Sequence, residues 1–365
     1  MLNKKIILAG GSGFIGQGLA EEFGRDNEIV ILGRQAGGRN NNLGLKKTGN
    51  NADLNIRYVK WNAKDVEESW AKELDGADLV INLAGKSVNC RYHKKQKREI
   101  IDSRVLSTRA IGEAIRLAKQ PPPMWINAAS TTIYRNTYGN ANDEFTGQIS
   151  DLKKDNMPTN LIDRLRREKN RILARIRHGK DSDQYRETDI DFSVKVCQLW
   201  ERAFEEQQVP NTKKITLRTA IVIGNGGVII PFLNLCKFAA GGKQGNGKQY
   251  ISWVHMSDVA GMVRWLYNNG KEGIYNCVAP GAVTNAEFMR TLRKSAGHYF
   301  GLPTPALFLE LGTWMIGSES ELILKSRRVY PARALKEGYV FSYPSLDGAM
   351  KQVISTLPRK AYHLV

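Results

Sequence analysis

The stretch Lys5-Ile6-Ile7-Leu8-Ala9-Gly10-Gly11-Ser12-Gly13-Phe14-Ile15-Gly16 leaves the chain few options. Its apolar, β-branched first half reads as a buried strand. The run stops at Gly10-Gly11 and resumes as a helix after Gly13, with Gly10, Gly13 and Gly16 spaced three apart. A strand-turn-helix of this kind suits the pyrophosphate of a dinucleotide. Glycine supplies the positive φ of a tight turn, a backbone that phosphate can approach, and close packing of helix on strand. The exposed N–H groups at the helix start face the phosphates. Gly10, Gly13, Phe14, Ile15 and Gly16 are therefore the first candidate cofactor contacts. The plainer alternative is a glycine-rich turn with no ligand.

Which dinucleotide is expected depends on the end of the next strand. Glu28–Leu32 reads as that strand, and it runs into Gly33-Arg34. An acid at this place holds the ribose 2′-hydroxyl of NAD, whereas an arginine accommodates the 2′-phosphate of NADP. Arg34 lies eighteen positions past Gly16, and no Asp or Glu follows until Asp53. A guanidinium pairs bidentately with phosphate and stacks on adenine. NADP(H) is thus expected over NAD(H); the alternative is an ordinary surface arginine.

Strand and helix patterns then alternate. Gln35–Asn55 is a Gly/Asn-rich loop, Ile56–Trp61 a strand, Asp65–Leu74 a short helix and Leu79–Leu83 a strand. Lys94–Ala118 reads as a long helix stopped by Pro121-Pro122-Pro123, and Trp125–Ala129 as the fifth strand. Later come a helix over Phe192–Gln207, a strand over Ile215–Ile223, a helix from Ser257 and a strand over Gly273–Val278. Such alternation predicts an α/β fold with a Rossmann-like, doubly wound parallel sheet. The expected division is a dinucleotide-binding domain over 1–230, with a polar insertion at 135–189, and a smaller, mostly helical substrate-side portion over 231–365. Strand ends where cofactor passes close supply further candidates: Asn62 beside the adenine, and Leu83, Ala84 and Gly85 after the fourth strand.

The remaining composition narrows the partners. Cys90, Cys197, Cys236 and Cys277 lack pairing or metal spacing, so reduced thiols in a cytoplasmic protein are expected, with no metal. No signal peptide is expected, since the N-terminal apolar segment runs straight into the glycine turn. The formal charge of +18 concentrates in 91–119, 153–186 and 325–333, but these basic runs lack interleaved aromatics. A solvated surface, or attraction for anionic ligands, is the better reading than nucleic acid. The assembly is expected to be a monomer or homodimer.

Several segments together resemble a known family. Gly10–Gly16, Ile81-Asn82-Leu83-Ala84-Gly85, Asp102-Ser103-Arg104 with Thr108, Trp200-Glu201, and Leu217-Arg218-Thr219 with Gly226-Gly227 occur in that order. Gly245-x-Gly247-x-Gln249, Trp253-x-His255-x-x-Asp258, Tyr275-Asn276 with Pro280, and Pro331 with Gly338-Tyr339 follow. The set is similar to the atypical extended short-chain dehydrogenase/reductases. Within them it resembles the NADP-binding epimerase-like branch with a C-terminal domain of unknown function. That resemblance implies a Rossmann-like domain followed by a substrate-binding portion, acting on a small-molecule substrate.

Active relatives carry Tyr-x-x-x-Lys on the helix after the fifth strand, where the lysine lowers the tyrosine pKa for proton transfer. Aligned on Trp200-Glu201, that pair falls at Ser193 and Cys197, which cannot replace it. Tyr267 and Lys271 have the spacing but straddle Asn268-Asn269-Gly270, the look of a helix end. Ser130 matches the family serine that bonds a substrate oxygen, and Tyr134 follows four residues on; these are the candidate catalytic residues. Arg104 stands by a usual helix asparagine and is a candidate cofactor contact. Lys86, Arg91, Tyr92 and Lys195 are sources of charge near a substrate. For each, a structural role is the alternative: strand-end hydrogen bonder for Ser130, clamp for Arg104. His255 reads as a packed histidine at a helix start. The expectation is an NADP(H)-binding epimerase or oxidoreductase acting on a small polar substrate; the alternative is a non-catalytic NADP(H)-binding sensor or scaffold.

Overall fold

The computed structural model describes residues 1–34, 54–90, 92–150, 192–304 and 325–363. In chain order the strands are β1 (Lys5–Ala9), β2 (Glu28–Gly33), β3 (Ile56–Lys60), β4 (Leu79–Asn82), β5 (Met124–Ser130) and β6 (Lys213–Thr219). Three short ones follow, β7 (Ile221–Ile223), β8 (Tyr250–Ile251) and β9 (Trp253–His255), and then β10 (Gly273–Cys277) and β11 (Val283–Thr284). Helices α1 (Phe14–Phe23), α2 (Glu68–Ala71), α3 (Lys94–Leu117), α4 (Phe192–Glu205) and α5 (Ile229–Lys237) lead to α6 (Met256–Asn268) and α7 (Asn285–Ser295). The last two are α8 (Ala332–Lys336) and α9 (Leu346–Thr356).

Seven strands form one parallel sheet in the order β3-β2-β1-β4-β5-β6-β10. β1 shows why the sequence is apolar without alternation: both of its faces are covered. Ile6 and Leu8 pack with Leu19 of α1 and Val259, Val263 and Leu266 of α6. Ile7 and Ala9 pack on the other side, with Ala110, Ile111, Ala114 and Ile115 of α3. The sheet is therefore the middle of three layers, as the alternating pattern predicts.

Three expectations change in detail. The strand expected over Ile215–Ile223 breaks at Ala220, whose N–H is donated to Cys277 O at 3.1 Å. β6 stays in the main sheet, while β7 leaves it to pair with β9. The division expected at residue 230 is crossed twice, since β10 pairs with β6 and α6 packs beside α1 in the β1 core. What remains beyond it gathers Phe232, Leu233, Phe288, Met289, Met350 and Val353 around Trp253. Of the insertion expected at 135–189, only residues 135–150 are described. Residues 135–150 belong to the fold: Asn142 N donates to Arg328 O and Tyr330 N to Asn142 O, both at 2.8 Å. The Asn142 side chain donates to Arg135 O at 3.1 Å and accepts from Gln148 N at 2.9 Å, so the polar residues here satisfy turn backbone. The basic stretch Leu161–Arg177 and most of the loop 35–55 lie outside the described residues.

Candidate functional site

The carboxyl ends of β4, β5 and β6 and the turn after β1 open onto one cavity of about 430 Å³, lined almost wholly by apolar groups. Ligands of parallel α/β sheets bind at this edge. Gly10, Gly13, Phe14, Ile15 and Gly16 contribute one wall, Leu83 and Ala128–Ser130 another, and Trp200 and Thr219 close it.

The glycines of the turn do different work. Gly10 has φ +74°, and a Cβ there would stand 2.7 Å from Ala84 Cα, so the turn lies on the end of β4. At Gly16 a Cβ would meet Gly11 Cα at 2.4 Å, which lets α1 start against the turn. Gly13 is another matter: its φ is −80°, and the nearest protein atom to an added Cβ would be Gly10 O at 3.6 Å. Among the described residues nothing excludes a side chain at that point. Gly13 caps α1, no side chain closes the helix start, and no acid sits in its first turn. An open glycine face at an uncapped helix N-terminus is what a pyrophosphate needs. The residues present therefore fit a dinucleotide. Phe14 anchors the neighbouring loop: Gly224, Gly226 and Gly227 lie against its ring, and a Cβ on Gly227 would come 2.9 Å from Cδ1.

Arg34 follows β2 directly and is exposed. Asn62 is exposed and bonds its own loop. Its Oδ1 accepts from Lys64 N and Asp65 N at 2.8 and 2.9 Å, and its amide donates to Glu67 and Asp65. Asn82, buried at the end of β4, donates to Thr108 Oγ1 (3.1 Å) and Asn127 Oδ1 (2.7 Å) and accepts from Ala84 N (3.1 Å). This network fixes the Leu83–Gly85 backbone beside the turn. Ser103 and Arg104 of α3 hold the next peptide: Lys86 N donates to Ser103 Oγ, and Arg104 Nη1 donates to Lys86 O and Ile100 O.

Ser130 ends β5 on the cavity wall, where its Oγ donates to Thr132 Oγ1 at 3.0 Å and accepts from Thr132 N at 3.2 Å. Tyr134 is not beside it. Fully buried, it donates its hydroxyl proton to Asn276 Oδ1 at 3.0 Å and accepts from Arg218 Nη1 at 2.8 Å. Arg218 in turn grips both oxygens of Glu201. Burial raises the Tyr134 pKa, and the neighbouring Arg218 charge opposes this.

Ser193 and Cys197 both lie buried on α4, and no hydrogen bond reaches Ser193 Oγ among the described residues. Burial pushes the Cys197 thiol up to about 12. Tyr267 and Lys271 form no pair: the tyrosine bonds Asp78 and the lysine bonds Glu337. His255 Nδ1 caps α6 by accepting from Ser257 N, and its Nε2 bonds Gln352 Oε1 at 2.8 Å. Lys86 is tied to Gln96 and Glu99, Lys195 lies half-buried on α4, Tyr92 stacks edge-on against Phe192, and Arg91 lies outside the described residues. Sequence reasoning missed Trp200 and Thr219 as cavity walls, although both stand within the segments that carried the resemblance. Among the described residues no His/Cys/Asp/Glu group could hold a metal, and no helix is long and apolar enough to cross a membrane.

This sheet order, with the glycine turn at the carboxyl edge of the sheet, defines a Rossmann-like protein. Residues 6–158 match the NAD dependent epimerase/dehydratase family and residues 304–353 match DUF1731, a domain of unknown function. Over these two segments the chain is similar to the epimerase family and, toward its C-terminal side, to DUF1731. It is 28% identical to epimerase family protein YfhF of Bacillus subtilis over 352 residues, 96% of this chain and 98% of that one. It is 26% identical to human epimerase family protein SDR39U1, over 96% of this chain and all of the relative. A crystal structure of human SDR39U1 (isoform 2) with NADPH superposes with a TM-score of 0.73 at 24% identity, covering 97% and 100% of the two chains. UDP-N-acetylglucosamine 4-epimerase from Methanobrevibacter ruminantium, in complex with UDP-N-acetylmuramic acid, follows the same fold at a TM-score of 0.66 and 15% identity, covering 97% and 98%.

Proposed function

We propose that the chain binds NADP(H) across the β1 turn and acts as an epimerase-like oxidoreductase on a small polar substrate. One observation carries the reading: the open Gly13 face and the Ser130 hydroxyl line the same cavity. Gly10, Gly13, Phe14, Ile15 and Gly16 would hold the pyrophosphate, and Leu83, Ala84 and Gly85 would flank the dinucleotide. Arg34, exposed at the end of β2, would take the 2′-phosphate. The NADPH in the human SDR39U1 crystal structure supports this choice of cofactor. Bound there, the nicotinamide would supply hydride transfer. The chain's own part is to exclude water with its apolar walls and to orient a substrate oxygen through Ser130 Oγ, whose one proton would turn from Thr132 Oγ1 to the substrate. Tyr134, fully buried and off the cavity wall, serves the fold in this reading.

A second reading has a specific observation behind it. Ser193 and Cys197, where the resemblance puts the proton-transfer pair, are buried, and a thiol held at about 12 exchanges no proton near neutrality. A protein with this cradle and no acid–base pair would be an NADP(H)-binding sensor or scaffold.

Calorimetric titration with NADPH and NADH, on wild type and Arg34→Ala, tests the cofactor. NADPH affinity is expected to fall about 10- to 100-fold in the variant while NADH is unaffected, in line with a lost charge-assisted contact. No binding of either nucleotide to wild type would overturn the reading. Hydride exchange on a panel of hydroxy- and keto-compounds then separates enzyme from sensor.

A further inference from the structure

Arg104 is a half-buried cation that no carboxylate pairs among the described residues. Its Nη1 donates to two neutral carbonyls, Lys86 O at 3.1 Å and Ile100 O at 3.0 Å, and its Cζ stands 5.0 Å from the Trp200 ring centroid. Gly85 presses on it from the loop side: a Cβ there would lie 3.0 Å from Cζ and 3.2 Å from both Nη atoms. No carboxylate reaches it among the described residues. Glu201, one residue beyond Trp200 on α4, has both oxygens taken by Arg218.

A guanidinium stays charged throughout the accessible pH range, and burying one without a counter-charge is costly. Its planar fork can serve a second acceptor from the Nε–Nη2 edge, where no protein partner stands among the described residues. The surroundings tie Arg104 to the cleft. Trp200 lines the cavity with Ser130 and the glycine turn. Ser130, Arg104 and Arg327 all lie near enough to the Cys197 thiol to act on it electrostatically. Arg104 thus stacks on a tryptophan that lines the same cavity as the Ser130 hydroxyl.

We propose that Arg104 is the receptor for a carboxylate or phosphate group of the molecule that occupies this cleft. The proposal rests on the reading of the cavity as the ligand site given above. It narrows the substrate class to small acids unless the group belongs to the cofactor's own phosphates. It also accounts for Gly85, since a Cβ there would crowd the guanidinium at 3.0 Å from Cζ.

The test titrates malonate and inorganic phosphate, at constant ionic strength, into the full-length protein with and without saturating NADPH. Heat and tryptophan emission are followed for wild type, Arg104→Met and Arg104→Lys. Wild type is expected to bind an anion saturably; Arg104→Met is expected to weaken that binding by at least about tenfold, with partial recovery in Arg104→Lys. If NADPH affinity stays within about twofold across the three, the anion site belongs to the substrate. If instead NADPH affinity falls about tenfold in Arg104→Met and the small anions compete with NADPH, the receptor stands and its anion is the cofactor's phosphate. Equal binding of anions and NADPH by wild type and Arg104→Met overturns the proposal, and so does non-saturable anion binding to wild type. Should Arg104→Met fail to fold, Trp200→Phe decides the point: the anion-induced emission change must vanish in it, and persistence of that change is equally fatal. Failure of wild type to bind NADPH would refute the cofactor reading alone, because the anion titration without nucleotide still reports on Arg104.

Discussion

Gly10 and Ala84 touch through their backbones, so that a methyl group on residue 10 would stand 2.7 Å from Ala84 Cα and 2.8 Å from Ala84 N. The first turn of the chain and the end of β4 are built onto each other, and Gly10 also holds a φ of +74° that other residues resist. Three residues on, Gly13 has neither constraint.

The two glycines should therefore respond oppositely to the same substitution. Gly10→Ala is expected to cost about 2–4 kcal/mol in urea unfolding, from overpacking and backbone strain together. Gly13→Ala should stay within about 1 kcal/mol of wild type, a poorer N-cap being offset by a less flexible unfolded chain. Yet Gly13→Ala should weaken NADPH binding by about tenfold or more in calorimetry, since its methyl would occupy the pyrophosphate face. Unimpaired NADPH binding by Gly13→Ala would remove the turn from the cofactor site.

Arg218 and Glu201 are joined by two hydrogen bonds of 2.8 and 2.7 Å, with side chains only 8% and 15% exposed. Removing one partner of such a pair strands the other charge in the interior. Arg218→Met is expected to destabilise by about 3–5 kcal/mol, whereas Arg218→Met with Glu201→Leu should regain most of that. Tyr134→Phe, which deletes the hydroxyl between Arg218 and Asn276, should cost about 1–2 kcal/mol and leave NADPH affinity unchanged. A drop in NADPH affinity in Tyr134→Phe would return that tyrosine to the cleft.

Both the legibility of this fold and its limits come from range in sequence. β1 could be read because residues 5–9 are apolar at every position, the mark of a strand covered on both faces. The glycine turn could be read because its constraint is local. The break at Ala220 could not: Ile215–Ile223 is one apolar run, and only pairing with Trp253–His255, thirty residues away, draws β7 out of the sheet. The polar composition of 135–150 suggested a surface insertion, because a sequence does not show that its Asn and Asp side chains are spent on backbone turns. At the site the same holds. Ser130 could be placed from its strand end, but Tyr134, only four residues later, points into the Arg218–Asn276 network, since Ser130 caps a 3₁₀ turn that rotates the chain between them. Asn62 was expected to edge the adenine, and its carboxamide also bonds its own loop, which the sequence does not show.

His255 gives a pH-dependent term with a definite sign. Burial lowers its pKa, with the Gln352 bond and the Asp258 charge opposing, so the folded state holds it neutral more firmly than the unfolded chain does. The unfolded state then binds the proton more readily, and stability falls as pH drops below the unfolded value of about 6.5. His255→Asn keeps an acceptor for Ser257 N and should flatten the dependence of Tm on pH just below that value, with NADPH affinity unaltered. An unchanged Tm profile would mean that His255 is not the titrating group.

Glu337 acts at the acid end. Burial alone would raise its pKa, but hydrogen bonds from Lys271, Arg333 and Tyr275 outweigh this and hold it at about 2. Lys271 Nζ stands 2.7 Å from Oε2, Tyr275 OH donates to Oε2 at 2.8 Å, and Arg333 Nε to Oε1 at 2.9 Å, which ties α8 to β10 and to the end of α6. A carboxylate whose folded pKa lies below its unfolded value of 4.5 stabilises the protein fully above that value. The contribution then disappears as pH falls from 4.5 toward 2. Glu337→Gln should therefore lower Tm at neutral pH and converge on wild type at the acid end of that window, with a shallower slope between. Parallel Tm curves for the two proteins across that window would show that the three donors hold Glu337 no better in the folded protein than water does in the unfolded one.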